Sequence, residues 1–238
     1  MDRMYSRQAR LWPAGRRPGT PYPILVGGVA AEFVDQQDAI GSNLPLAIFL
    51  LVGLTFVVLF LMTGSLILPL KAILMNALTV GSSLGVLTLI FQEGRLESLL
   101  GYTGNGGVEP TDFLVAAALV FALSTDYGVF LLGRIKEARA SGQSDREAVA
   151  IGVERTGAVV TAAAILLAVA IGAFISSSIS FIQQIGVATA TGVLIDAFVV
   201  RALLVPALMA LLGKWNWWSP RPLARLHERI GLSEGAPG

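Results

Sequence analysis

The chain has 238 residues, of which 54% are hydrophobic and 14% charged, with a net charge of +1 and a mean hydropathy of +0.70. Ordinary soluble domains carry about 25% charged residues, so this composition excludes a disordered chain, a nucleic-acid binder and most soluble enzymes. Cysteine is absent and the one histidine, His227, lies in a polar tail, which excludes disulfides, thiolate metal sites and Ser-His catalysis within the apolar part. The reading that remains is an all-α integral membrane protein, with no metal or cofactor site expected.

A membrane helix needs about 20 apolar residues. In chain order the apolar runs predict spans at 44–63, 72–91, 113–133 and 156–176. Ser42 or Asn43 is expected to cap the first, with Pro45 in its opening turn. The last run, 182–212, is too long for one straight crossing. It is read as a span over 182–201 ending near Arg201, then an interfacial turn over 203–213 bent by Pro206. Residues 1–43 form an extracytoplasmic head and 214–238 a basic tail.

Five spans put the termini on opposite sides. Lys71, the run Arg134, Lys136, Arg139, Arg146 and Arg155, and the tail residues Lys214, Arg221, Arg225 and Arg229 fall on one face, read as cytoplasmic. The N-terminus is then outside. The arginines of the head, Arg3 to Arg17, conflict with that side, and no apolar signal stretch precedes them. The expectation that reconciles these is that the chain is the back part of something longer.

The connectors carry their own signals. Ser144-Asp145-Arg146-Glu147 is a capping box, predicting a short helix that runs into the fourth span. Segment 92–112 contains Gly101, Gly104, Gly106 and Gly107 and should be mobile. Trp215, Trp217 and Trp218 read as an interfacial anchor. Arg221, Arg225 and Arg229 opposite Leu223, Leu226 and Ile230 make a basic amphipathic helix suited to anionic lipid. In the second span Asn76, Thr79 and Ser83 share a face, and Gly81 with Gly85 is read as a small-residue packing pair.

Asp126 needs a physical explanation. A charge at membrane depth costs about 2.5–3.5 kcal/mol on insertion scales and marks ion paths, and burial favours the neutral acid. A carboxyl so poised either loads and releases a proton or stays protonated as glue between helices, and proton coupling is the favoured reading. Tyr127 follows about 100° round the helix, with Ser124 and Thr125 beside it, and Thr161 in the fourth span is the expected hydrogen-bond partner. The proton relay is therefore read as Asp126, Tyr127 and Thr161. Asp196 and Arg201 lie about 140° apart on an α-helix, too far round to pair, and are read as structural charges near the cytoplasmic edge. Two membrane aspartates also suggest an intramembrane aspartyl protease, but neither Asp126-Tyr127 nor Asp196 after Val193-Leu194-Ile195 fits that family's Tyr-Asp and Gly-x-Gly-Asp motifs.

Leu123-Ser124-Thr125-Asp126-Tyr127 with Val129-Phe130-Leu131-Leu132 and Arg134-Ile135 resembles the signature helix of MmpL transporters, a branch of the RND superfamily. Glu154-Arg155-Thr156-Gly157 with Thr161-Ala162-Ala163-Ala164 resembles the next helix. Leu194-Ile195-Asp196-Ala197, Val200-Arg201, Leu204-Val205-Pro206-Ala207-Leu208 and Trp217-Trp218-Ser219-Pro220 resemble the last helix and its close. Val26-Gly27-Gly28 with Ala31-Glu32 resembles the end of the second porter domain. The resemblance implies helices eight to twelve of a twelve-helix plan plus a remnant of that porter domain. It also implies proton-driven export of lipids or other hydrophobic molecules across the bacterial inner membrane, with Asp126 and Tyr127 as the back-half pair of a two-pair relay. The position after that pair, often acidic in the family, is Gly128 here. The implied partners are membrane lipids, a lipid or other hydrophobic cargo, and either a front-half chain or a second copy. The alternative is a non-transporting lipid- or partner-binding membrane module.

Overall fold

The computed structural model describes residues 28–102 and 108–230. All regular elements among them are helical. The chain divides into two compact units, Met1–Phe49 and Leu50–Gly238.

Helix α1 runs Val29–Thr63. It starts directly after Gly28, which has a φ of 107°, and Glu32 lies in its first turn, where the helix dipole favours an acid. The expected start at residue 44 is corrected. Ser42 and Asn43 are interior residues, and their side chains donate to the carbonyl of Ala39 at 3.2 and 2.8 Å rather than capping. The apolar count missed this stretch because Ala30, Ala31, Glu32, Gln36, Gln37 and Ala39 are polar or small yet favour helix.

The second unit is a helical bundle. Helix α2 spans Ile67–Leu87 and ends in a π turn, Thr88–Gln92. After the single turn α3, Glu97–Leu100, come α4, Pro110–Ala140, and α5, Asp145–Gly172, the latter closing in a 3-10 turn. Ser144 caps α5 with the reciprocal Glu147 contact that its sequence predicts. Helix α6 covers Ser180–Leu194, continues as π-helix through Leu204 and passes into α7, Val205–Leu212. A 3-10 turn, Gly213–Trp217, leads to α8, Arg221–Ile230. Helices α4 and α6 pack on each other and each touches both α2 and α5. Among the described residues five helices are long and apolar enough to cross a membrane, and each contains one predicted span.

Two expectations about this bundle are corrected. The helical path does not end near Arg201. In a continuing α-helix the Pro206 ring would meet the carbonyl of Ala202, and the chain instead widens into π turns over Ile195–Leu204, immediately before the proline. Gly81 and Gly85 face outward and pack against nothing among the described residues. Close approaches between helices include Gly152 against Ile135, Gly186 against Phe174 and Ile175, and Gly192 against Val120 and Ser83. A Cβ on Gly192 would stand 2.7 Å from Val120 Cγ2 and 3.2 Å from Ser83 Cβ. Gly192→Ala should therefore wedge α6 off α2 and α4, costing about 1–3 kcal/mol as overpacking does. Reversible unfolding in mixed micelles measures it. Gly85→Ala, with open space around it, is the variant that should change nothing by crowding.

The outer surface is apolar. Leu54, Leu74, Leu166 and Val169 are all more than 60% exposed, and over residues 157–172 helix α5 carries no polar side chain but Thr161. A helix apolar all round belongs in lipid. Inside, the three basic segments meet at one end of the bundle. Lys136 Nζ donates to the carbonyl of Met62 at 2.5 Å. The Arg139 guanidinium lies 4.4 Å from the Trp217 ring centre. Lys71 Nζ donates to Asn216 Oδ1 at 2.9 Å. At the other end, Gln183 Nε2 ties α6 to the carbonyls of Leu100 and Ile175, both at 2.9 Å. The Tyr102 hydroxyl donates to the carbonyl of Arg95 at 2.9 Å and also reaches that of Ile90. Gly104, Gly106 and Gly107, on which the expected loop mobility partly rests, lie outside the described residues. His227, read as a tail residue, sets its ring edge-on to Phe60 with centroids 6.0 Å apart.

Candidate functional site

The polar stripe of α2 faces inward and organises the centre of the bundle. Asn76, Thr79 and Ser83 are all buried. Asn76 Nδ2 donates to Thr125 Oγ1 at 2.8 Å, and Asn76 Oδ1 lies 2.7 Å from Ser124 Oγ. Thr79 Oγ1 donates to Asp196 Oδ1 at 3.2 Å, and Ser83 Oγ donates to the carbonyl of Ala188 at 2.6 Å. One stripe thus reaches both α4 and α6.

Asp196 is the carboxylate at the centre of this network. Ser124 Oγ stands 2.7 Å from its Oδ1. Arg201 Nε donates to its Oδ2 as a buried ion pair, and an Arg201 amino group also reaches the backbone carbonyl of Ser124. The expectation that Asp196 and Arg201 do not pair is corrected. They sit in the π segment, where i→i+5 bonding stacks residues five apart on one face. Their placement at the cytoplasmic edge is corrected too, because the contact with Ser124 puts them beside the middle of the third span.

Ser124 has one hydroxyl proton and two acceptors, Asn76 Oδ1 and Asp196 Oδ1, each at 2.7 Å, so it donates to one of them at a time.

Asp126 lies elsewhere. It is exposed on the surface of the bundle, and no hydrogen bond or ion pair to it occurs among the described residues. Tyr127 is half-buried, with the Arg201 guanidinium 5.5 Å from its ring centre, a cation–π distance. Thr161 is half-buried. It makes no hydrogen bond to Asp126 and lines a cleft with Thr156, Ala197 and Arg201. Of the five residues singled out from sequence, the structure therefore gathers Tyr127, Asp196 and Arg201, sets Thr161 in a wall beside Arg201, and leaves Asp126 on the outer face. Asp126 and Asp196 do not share a proton as an aspartyl-protease dyad must: Asp196 is held by Thr79, Ser124 and Arg201, and Asp126 touches none of them.

Gly128 completes the site. A Cβ there would lie 3.6 Å from Arg201 Nη1, so the guanidinium rests against the glycine. An acid at this position would compete with Asp196 for the arginine.

Sequence comparison decides the family. The family model described as "MMPL family" matches residues 7–230. The chain belongs to the MMPL family. It is 46% identical over 216 residues to "Putative membrane protein SCO6666" of Streptomyces coelicolor, covering 91% of this chain and 31% of that protein. It is 44% identical over 211 residues to "Trehalose monomycolate exporter MmpL3" of Mycobacterium tuberculosis, covering 89% of this chain and 22% of the relative. "Mycolic acid-containing lipids exporter MmpL11" of Mycolicibacterium smegmatis is 37% identical, covering 98% of this chain and 25% of its own length. This MMPL chain thus spans less than a third of the length of these relatives. Two of them are named as lipid exporters, and the five apolar helices and the family together make the chain a membrane protein.

Proposed function

We propose that this chain is the C-terminal membrane half of an exporter of lipids or other hydrophobic molecules, driven by the proton motive force and working together with a front half. The observation that carries the reading is Asp126, a carboxylate set at mid-helix on an apolar outer face with no partner among the described residues. A lone carboxylate facing lipid is costly. A second helical unit with polar side chains of its own would remove that cost and bring Asp126 to the seam between two halves. There the acid would bind and release a proton as the halves move, with Tyr127 between it and the Asp196–Arg201 pair. The exporter names of the relatives supply the cargo class, and the relatives' greater length supports a partner half.

The orientation follows from charge. The end where Lys71, Lys136 and Arg139 gather would face the cytoplasm of a bacterial inner membrane, with the N-terminal side of α1 outside.

The reading is tested with the assembled transporter in proteoliposomes. An imposed pH gradient should drive movement of a long-chain lipid, and a protonophore should stop it. Lipid movement indifferent to the gradient would remove proton coupling. A solitary chain that retains lipid and recruits no second half would favour the non-transporting membrane module instead.

A further inference from the structure

The cations around helix α8 stand apart from the others at their end of the bundle. Those of the α4–α5 connector have acids: Arg134 meets Glu137 at 2.8 Å and Arg139 meets Asp145 at 2.9 Å. Lys214, Arg221 and Arg225 are exposed, and no acid pairs with them among the described residues. The segment that carries them is held at the end of the first span. Ser65 Oγ donates to the carbonyl of Asn216 at 2.6 Å, and the Leu66 N–H donates to that of Trp218 at 3.2 Å. The His227 ring lies against Gly64, where a Cβ would stand 2.7 Å from His227 Cδ2. Gly64 has a φ of 70°, so glycine both closes α1 without strain and leaves room for the ring.

This seating divides the apolar stripe of α8. Leu223 and His227 are half-buried, whereas Leu226 and Ile230 beside them are 43% and 55% exposed. Trp215 and Trp218, just before the helix, are exposed as well. Leu226 and Ile230 lie about 100–180° round the helix from Arg221 and Arg225. One side of a helix docked at the end of a span is therefore an open apolar edge, and the other carries guanidinium groups without counter-charge. Acyl chains meet phosphates in the same order at a membrane surface.

We propose that α8 lies in the membrane surface and that Arg221 and Arg225, with Lys214, form a binding surface for the phosphate of an anionic phospholipid. Charge complementarity selects this occupant. A zwitterionic headgroup brings its own cation, and an anion without acyl chains leaves Leu226, Ile230 and the tryptophans uncovered. The proposal does not rest on the exporter reading, so it is measured without transport.

Three of the four tryptophans fall at 215–218, so in a Trp12→Phe background the fluorescence reports this corner. The whole chain is reconstituted in vesicles containing phosphatidylglycerol and phosphatidylcholine, with one or the other brominated on its acyl chains as the quencher. Phosphatidylglycerol should be preferred by about five- to twenty-fivefold, one or two arginines per headgroup at about fivefold each, and high salt should weaken the preference. Arg221→Gln/Arg225→Gln should bring it close to unity. Arg221→Lys/Arg225→Lys should keep most of it and show that the helix survives change at these positions. Arg134→Gln, whose guanidinium is already paired, should leave it within about twofold of the parent. The chain has no cysteine, so Leu226→Cys carries a single bimane label, which should emit as in lipid and be quenched by a nitroxide high on the acyl chain. Equal quenching by the two lipids, a preference unmoved by the glutamine pair, an equal fall in Arg134→Gln, or water-like bimane emission would each overturn the proposal.

Discussion

Arg201→Met should cost about 3–5 kcal/mol of folding stability, the range for breaking one side of a buried ion pair. Asp196 would keep Thr79 and Ser124 but lose its counter-charge in an environment with almost no water. The carbonyl of Ser124 would lose a donor as well. The double variant Asp196→Leu/Arg201→Met should recover much of the loss, because removing both charges leaves none uncompensated, and such replacements are often neutral or stabilising. Arg201→Lys should fall between, since an ammonium cannot reach Asp196 Oδ2 and the Ser124 carbonyl with the same planar fork. Unfolding of the purified chain in mixed micelles measures all three. Equal stability of Arg201→Met and the parent would mean the pair is not closed in the folded protein.

This pair shows where sequence reasoning reaches and where it stops. The five membrane helices were legible because lipid imposes a length and a polarity that a count of apolar residues detects. The extension of α1 back to Val29 was not, because residues outside the apolar run obey helix propensity and not hydropathy. The ion pair was missed for a geometric reason. An α period turns Asp196 and Arg201 about 140° apart, and only the π segment stacks them. The sole sequence hint was Pro206, which demands some departure from α geometry just before it.

The site was partly legible. The stripe Asn76, Thr79, Ser83 was visible as a shared face, and it is the face that holds the network. What was misjudged is which carboxylate it serves. Ser124 and Asp126 stand two residues apart, about 200° round a helix. With Ser124 buried, Asp126 must look outward, so nearness in sequence put it with the wrong companions. Lys71 was counted as a loop charge. It falls instead three residues after buried Leu68 and four before buried Met75, on the inner stripe of α2.

The second large effect separates the two aspartates by function. Asp126→Asn should reduce proton-driven lipid movement by the assembled exporter to background while leaving the stability of this chain within about 0.5 kcal/mol of the parent, as for surface changes away from special contacts. The amide keeps the size of the acid and cannot take up and release a proton. The small stability effect follows from geometry, because Asp126 gives up no hydrogen bond or ion pair among the described residues. Asp196→Asn should behave in the opposite sense, lowering stability because Arg201 then faces a neutral amide in a buried site. Tyr127→Phe distinguishes orientation from packing. It keeps the ring against Arg201 and removes only the hydroxyl, so a fall in proton-driven movement with unchanged stability assigns the hydroxyl to the relay. Parent-level movement in Asp126→Asn would take this carboxylate out of the cycle.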